Sequence, residues 1–251
     1  MSDFSYPSFT PGNGYLTEIT RNKYITAAVA NRILPDNAHR MEPIISLVAS
    51  NDISKPIQFW QLFSVLGQQR IVSIVSNFYQ RVFDDEPWFT SVFSRVGGVN
   101  HHINTQSGMW LDVMGCGPTY QGGEYRLSFH HTHNAMQLMN DKGAERWAKL
   151  MVETLNDTAQ HMTNDERVRP SINTFLAHFF GKYAEEFKFS NDAMFGKTNA
   201  AFVRKINFMN MTTEAIEALS EEELKEALVG RGVDISKYPD KPALVNKALM
   251  L

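Results

Sequence analysis

Apolar side chains along most of this chain recur at helical spacing. Between residues 68 and 83 they follow the i, i+3, i+4 pattern that places them on one face of an α-helix. An aromatic-rich stretch at 168–188 repeats the pattern, and residues 15–34 follow it more loosely before Pro35 stops the helix. Nothing between residues 56 and 188 alternates as a half-buried strand does. We therefore predict an all-α domain with short connections.

Proline, glycine and polar residues divide this region into further helices. The acidic residues before Pro87 end one helix and begin the next, which Gly97-Gly98 then breaks. Asn100 is expected to cap the following helix, because its side chain can accept a hydrogen bond from the first turn. A loop of glycine and proline at 115–118 is expected to end that helix.

Three of the eight histidines stand within four positions, as His130, His131 and His133. They lie on a helix predicted at 124–139, which Gly143 is expected to separate from the next helix. Crowded imidazoles disfavour each other's protonation, and a neutral imidazole nitrogen is a common metal ligand. The cluster therefore indicates a metal site, with three solvated or core histidines as the alternative.

The pattern changes at both ends of the helical region. The first residues are rich in proline, glycine and serine, and a capping box at 220–223 opens the first of two short helices near the end. We divide the chain into four parts, which are an N-terminal extension (1–55), a helical domain (56–190), a linker (191–212) and a small helix–loop–helix module (213–251).

Composition narrows the possible partners and compartments. The net charge of −3 argues against nucleic acid, and no run of about 18 apolar residues predicts a membrane span. The single cysteine, Cys116, excludes an intrachain disulfide and a cysteine-built metal site. The chain begins without a basic, apolar leader. A cytoplasmic protein is expected, or one in an organelle interior such as the mitochondrion if a transit peptide has been removed.

Several short motifs lie in the central block, residues 60–188. They are Phe63-Ser64-Val65-Leu66-Gly67, Asn77-Phe78-Tyr79-Gln80-Arg81-Val82, Asp84-Asp85-Glu86-Pro87 with Phe93, Gly115-Cys116-Gly117-Pro118-Thr119-Tyr120, and Ala144-Glu145-Arg146-Trp147. In this order they resemble the motifs of the truncated (two-over-two) haemoglobin family. The resemblance implies a two-over-two helical sandwich that binds haem b, with dioxygen or another diatomic ligand as its partner.

A haem implied by this resemblance would be held by a proximal histidine, whose other ring nitrogen donates a hydrogen bond. His131 is the first candidate, because it lies four residues after Leu127 and so shares an apolar face of the predicted helix with it. His133 is the alternative, since its spacing to Trp147 fits one subgroup of the family. His130 remains as a third candidate.

The resemblance also implies which other side chains would surround the haem. Tyr79 would donate a hydrogen bond to the bound ligand, and Trp147 would offer its indole N–H. Ordinary core packing is the alternative for each of them, and His102 is a further residue that could reach the iron. The complete cofactor-binding set is Tyr79, Phe93, Ile103, Gln106, Ser107, His131, His133 and Trp147.

The tail resembles small helix–extended loop–helix modules of the SAP type, through Leu224-Lys225-Glu226-Ala227-Leu228 and Arg231-Gly232-Val233-Asp234. Several such modules bind DNA. Residues 213–251, however, carry five basic and eight acidic side chains, which opposes phosphate binding. A protein partner is therefore the better expectation for the terminal extensions.

Two functions are compatible with these observations. The first is a haem globin that binds dioxygen or another diatomic ligand for transport, sensing or nitric oxide scavenging, with dioxygenase activity left open. The second is a globin-fold structural or interaction subunit of a larger assembly, with or without haem, because long segments flank the domain. A zinc site using His130 and His133 is a weaker alternative, since no carboxylate or cysteine is placed to complete it.

Overall fold

The computed structural model describes residues 10–123, 130–131, 135–158, 162–191, 194–201 and 206–251. The chain divides into two compact units, residues 1–201 and residues 202–251. No strand occurs in the described ranges, which confirms the predicted all-α class. No described helix is long and apolar enough to cross a membrane.

Seven α-helices in the described part of the first unit carry its core. They are α1 (Tyr15–Ala30), α2 (Glu42–Ile45), α3 (Leu62–Phe83), α4 (Pro87–Val96), α5 (Val99–Val113), α6 (Asp141–Asp157) and α7 (Val168–Phe187). Helix α3 packs against α5 and α6, and α1 also packs against α5. One continuous set of buried apolar side chains joins these helices, from Leu16 to Phe195.

Helix α3 is bent near its start, where Gly67 adopts a left-handed φ of 68°. A residue with a side chain is strained in that conformation, so glycine permits the bend. The apolar stripe beyond the bend, which includes Ile71, Val75 and Phe78, is buried as the spacing predicts. Pro87 occupies the first position of α4, where its missing N–H has no helical partner to lose.

The N-terminal segment is built into the first unit through α5. The carboxylate of Asp112, which is fully buried, accepts a hydrogen bond from the backbone N–H of Thr17 at 3.0 Å. Gly14 precedes α1 and cannot cap it with a side chain, and a Cβ there would collide with the Asp112 carboxylate. Asp112 therefore supplies the acceptor that an N-cap side chain normally provides.

Some predicted helix boundaries were wrong. Gly143 lies inside α6, because Asn140 caps that helix by accepting a hydrogen bond from the Gly143 N–H at 3.1 Å. Helix α5 begins at Val99 with Gly98 before it, so Asn100 is not its cap. Of the helix predicted at 124–139, His130 and His131 are helical and residues 135–138 form a 3-10 helix, while the remainder lies mainly outside the described residues.

The second unit has a small core of its own. Its helices are α8 (Thr213–Glu217), α9 (Glu221–Val229) and α10 (Lys241–Leu249). The predicted capping box of α9 is confirmed, since Ser220 accepts from the Glu223 N–H and Glu223 accepts from the Ser220 N–H. Ile206 and Phe208 belong to this core, so the division at 201–202 falls within the segment predicted as a linker.

Candidate functional site

A cavity of about 190 Å³ lies in the first unit among α3, α5, α6 and α7. Most of its wall is apolar and aromatic, with Phe93, Phe175 and Phe179 among the contributing side chains. The lining residues that bear a hydrogen-bonding side chain are Tyr79, Gln106, Trp110, His130, Trp147 and Tyr183. The cavity therefore combines broad apolar faces with a few separate polar groups, as small-molecule and cofactor sites do.

Tyr79 forms part of the wall contributed by α3. Its ring stacks on the imidazole of His102, with centroids 5.2 Å apart and an interplanar angle of 16°. The Nε2 atom of His102 lies 3.0 Å from the carbonyl oxygen of Phe93, so this nitrogen donates in the neutral tautomer. Burial lowers the pKa of His102, which favours the neutral ring. The arrangement fixes the plane of the Tyr79 ring.

Burial also determines the protonation of Tyr79. The side chain is 7% exposed, and burial raises the pKa of its phenol well above the ordinary value of 10. A nearby phenol, that of Tyr183, raises the pKa further. Tyr79 therefore stays protonated at neutral pH and can donate a hydrogen bond into the cavity.

Trp147 reaches the cavity from α6. Its ring packs against Phe78 at 4.8 Å and against Phe180 at 5.5 Å between centroids. These contacts hold the indole between α3 and α7. Since Trp147 lines the cavity, the position predicted for it beside the ligand is compatible with its packing.

Helix α5 places its three predicted residues differently. Gln106 lines the cavity. Ile103 and Ser107 are buried, at 4% and 5% exposed, but they are not among the lining residues. The Ser107 hydroxyl has no hydrogen-bond partner among the described residues. Gln106 is therefore the polar side chain that α5 contributes to the cavity from the predicted set.

The histidine cluster is split by the structure. The side chain of His130 lines the cavity, and its ring meets Tyr183 edge-on at 5.0 Å. The side chain of His131 is 45% exposed and is not among the lining residues, and its Nε2 lies 2.9 Å from Glu186 Oε1. His133 lies outside the described residues.

A metal site without haem has no support among the residues that the structure describes. They contain no group of three histidine, cysteine, aspartate or glutamate side chains that could hold an ion. The zinc alternative with His130 and His133 includes one residue outside the described ranges. Cys116 is buried, and burial raises the pKa of its thiol to about 11, so it stays protonated.

Sequence reasoning did not place α7 in the site. Phe179, Phe180 and Tyr183 line the cavity, although their helical spacing predicted only a core-facing stripe. The signal was present in their composition, because a tyrosine among phenylalanines brings a polar group to an apolar face. Met109 and Phe189 also line the cavity and were not anticipated.

Comparison with known proteins identifies the fold family. A family model described as bacterial-like globin matches residues 61–180. "Two-on-two hemoglobin-3" from Arabidopsis thaliana is 30% identical over 134 residues, which cover 52% of this chain and 74% of that relative. The chain belongs to the truncated (two-on-two) globin family.

A second relative agrees with this assignment. "Group 2 truncated hemoglobin 3-1" from Lotus japonicus is 30% identical over 118 residues, covering 47% of this chain and 67% of that protein. No solved structure matched the chain. The predicted resemblance and fold class are thus confirmed.

Segments outside the matched globin region still belong to its packing. Before the match, α1 contributes Leu16 and Ile25 to the core. After it, the side-chain amide of Asn199 donates to the Ile57 carbonyl at 2.9 Å, and Phe195 packs against Phe180 at 5.2 Å. This truncated globin therefore carries flanking segments that pack on the globin helices.

Proposed function

We propose that this protein is a haem-binding globin that takes up dioxygen or another diatomic ligand. The observation that carries the proposal is the cavity itself. In a chain of the truncated globin family, it brings Tyr79, Gln106, His130 and Trp147 together around one largely aromatic cavity. Transport, sensing and nitric oxide scavenging all begin with binding in such a site.

The side chains that line the cavity suit a haem in their chemistry. Phenylalanine rings suit a flat apolar macrocycle, and the imidazole of His130 in the cavity lining suits its iron. The chain has one cysteine and hence no C-x-x-C-H attachment motif, which supports non-covalently held haem b. Haem iron supplies an open coordination position for a diatomic ligand.

The protein would contribute hydrogen bonds and the exclusion of water. Tyr79 presents a protonated phenol, while the amide of Gln106 and the indole N–H of Trp147 offer two further donors. Donors of this kind stabilise partial negative charge on a bound ligand. The aromatic side chains around them keep the site apolar, which strengthens each hydrogen bond.

We further propose that the iron ligand is His130 or His133, and that His131 has another role. His130 lines the cavity, and His133 remains a candidate from its spacing along the sequence. His131 instead pairs with Glu186 at the surface. His130 or His133 therefore takes the place of His131, the first candidate from the sequence, as the proposed iron ligand.

Absorption spectroscopy of the purified full-length protein with added haem tests the proposal. A Soret band with saturable, one-to-one uptake is expected, and its absence would refute haem binding. His130→Ala, His131→Ala and His133→Ala should then be compared. We expect the band to change strongly in one of the first and third variants and only slightly in His131→Ala. Loss of iron ligation in His131→Ala alone would contradict the assignment.

A second function is favoured by the second unit. Residues 202–251 have their own core, including Leu224, Leu228 and Leu244, yet they lie outside the globin match. We propose that this unit serves a protein partner, so that the globin could act within an assembly. Native extracts separated by size should place the protein above its monomer mass of 28.6 kDa, and a purely monomeric profile would count against an assembly.

A further inference from the structure

The last turns of α7 contact His130 and His131, which we call the histidine segment. The ring of Tyr183 meets His130 at 5.0 Å, and the ring of Phe187 meets His131 at 4.7 Å. Glu186 Oε1 lies 2.9 Å from His131 Nε2. The two consecutive imidazoles are therefore each held by a different side chain of one helix.

The three α7 side chains form a single surface. Positions 183, 186 and 187 have the i, i+3, i+4 relation that places side chains on one helix face. The rings of Tyr183 and Phe187 are nearly parallel, with an interplanar angle of 17° and centroids 6.3 Å apart. We call Tyr183, Glu186 and Phe187 the α7 clasp.

We propose that the α7 clasp positions the histidine segment in the cavity wall, with His131 as a positioning residue for the neighbouring iron ligand. Its connection to the iron rests on the haem-binding function proposed above. Because His130 and His131 are adjacent, holding one ring limits the backbone of the other. The segment bears the imidazole at the cavity, so the clasp sets where that imidazole stands.

The clasp lies at the protein surface, so its positioning role can be tested without disturbing the core. His131 and Glu186 have side chains that are 45% and 42% exposed, so their pairing contributes little to the free energy of unfolding. The same pairing can still bias the position of a short segment, because that bias requires only a small free-energy difference. Substitutions in the clasp should therefore alter the segment while leaving the helical core folded.

The sharpest test compares Glu186→Gln with Glu185→Gln. Glu185 is the neighbouring carboxylate and forms its own exposed pair with Lys182 at 3.3 Å. Tryptic cleavage after Arg126, which lies four residues before His130 in the sequence, is followed by mass spectrometry on full-length apoprotein. We expect cleavage to be roughly two- to five-fold faster in Glu186→Gln and in Phe187→Leu, as loss of weak surface contacts implies. Glu185→Gln should match the wild type.

Equal cleavage rates in all four proteins would overturn the proposal. A second outcome against it is faster cleavage in Glu185→Gln as well, because the effect would then not be specific to the clasp. Because the cleavage measurement needs no haem, it tests the clasp even if the wild type binds none. In that case the proposed haem-binding function is refuted, while the cleavage rates still show whether the clasp holds the histidine segment.

Haem-loaded protein gives the second readout. Haem transfer to an excess of an apoglobin acceptor should be roughly two- to five-fold faster in Glu186→Gln, and Glu186→Asp should restore most of the loss. The iron–histidine stretching band of the ferrous form should shift in Glu186→Gln and not in Glu185→Gln. If the band and the transfer rate stay unchanged in Glu186→Gln, the clasp does not position the iron ligand.

Discussion

The two sides of the cavity are held in different ways. On the side of α3, the rings of Phe78 and Tyr79 are almost fully buried, and they pack against Trp147 and His102 respectively. On the side of the histidine segment, His131 pairs with Glu186, and both side chains are partly exposed to solvent. We call these the buried wall and the exposed wall.

The two walls differ in how strongly a substitution is expected to affect the stability of the fold. The buried wall consists of side chains that also fill the core, so the ring of Tyr79 is fixed when the chain folds. The exposed wall depends on surface contacts that are individually weak. The histidine side can therefore be altered at little cost in stability, whereas removing a whole ring from the buried side is expected to cost several times more.

The largest expected effect is damage to the buried wall. Phe78→Ala removes a ring that is 1% exposed and leaves a cavity against Trp147. We expect the free energy of unfolding to fall by about 3–5 kcal/mol. Phe187→Ala on the exposed wall is the matched control and should cost about 1 kcal/mol, because that ring is only partly buried. Urea unfolding followed by circular dichroism measures both, and equal costs would remove the distinction.

Acid should weaken the support behind the exposed wall. His178 lies on the far side of α7 between Tyr24 and Phe59, and burial lowers its pKa to about 4 from 6.5. The unfolded chain then binds the proton more readily, so stability present above pH 6.5 is lost progressively as the pH falls towards 4. At 1.36 kcal/mol per unit, this group accounts for about 3 kcal/mol.

His178→Phe removes that titration and tests its size. Unfolding free energies measured between pH 7 and pH 4 should fall less steeply in the variant, by about 3 kcal/mol over the range. His39→Gln, a change at an exposed histidine, is the control. A variant curve parallel to that of the wild type would show that His178 is not the group responsible.

Asp112 tests whether the N-terminal segment supports the buried wall. Asp112→Ala leaves backbone N–H groups of the first turn of α1 without their buried acceptor. We expect a loss of about 2 kcal/mol in unfolding free energy, as for a lost helix cap. Asp112→Asn keeps one acceptor oxygen and should lose about half as much. If the alanine variant were as stable as the wild type, α1 would be held by its apolar contacts alone.

The smallest effect on stability is expected from Tyr79→Phe, which keeps the ring and removes the hydroxyl. If the haem-binding function holds, dioxygen should dissociate roughly ten-fold faster, because one hydrogen bond to a partly charged ligand is lost. Flash photolysis or stopped-flow mixing measures the rate. Tyr183→Phe on the other side of the cavity is the matched control. A larger effect from Tyr183→Phe than from Tyr79→Phe would show that Tyr183, and not Tyr79, donates the hydrogen bond to the ligand.

Capping residues and prolines in the sequence correctly predicted where two of the helices begin. The proline at the start of α4 and the capping box of α9 both stand where the sequence placed them. Gly143 misled the prediction, because glycine often ends a helix but here lies close to the Leu138 carbonyl in the first turn of α6. A close approach between two backbone segments leaves no periodic pattern in the sequence.

The sequence by itself determined the all-α class and the globin region, and it predicted a site that combines a histidine cluster with Tyr79 and Trp147. These follow from spacing within single helices and from the order of short motifs. Only the tertiary structure decided that His130 lines the cavity while His131 pairs with Glu186. The reason is physical, since the two imidazoles are neighbours in sequence and their environments are set by α7, more than fifty residues later.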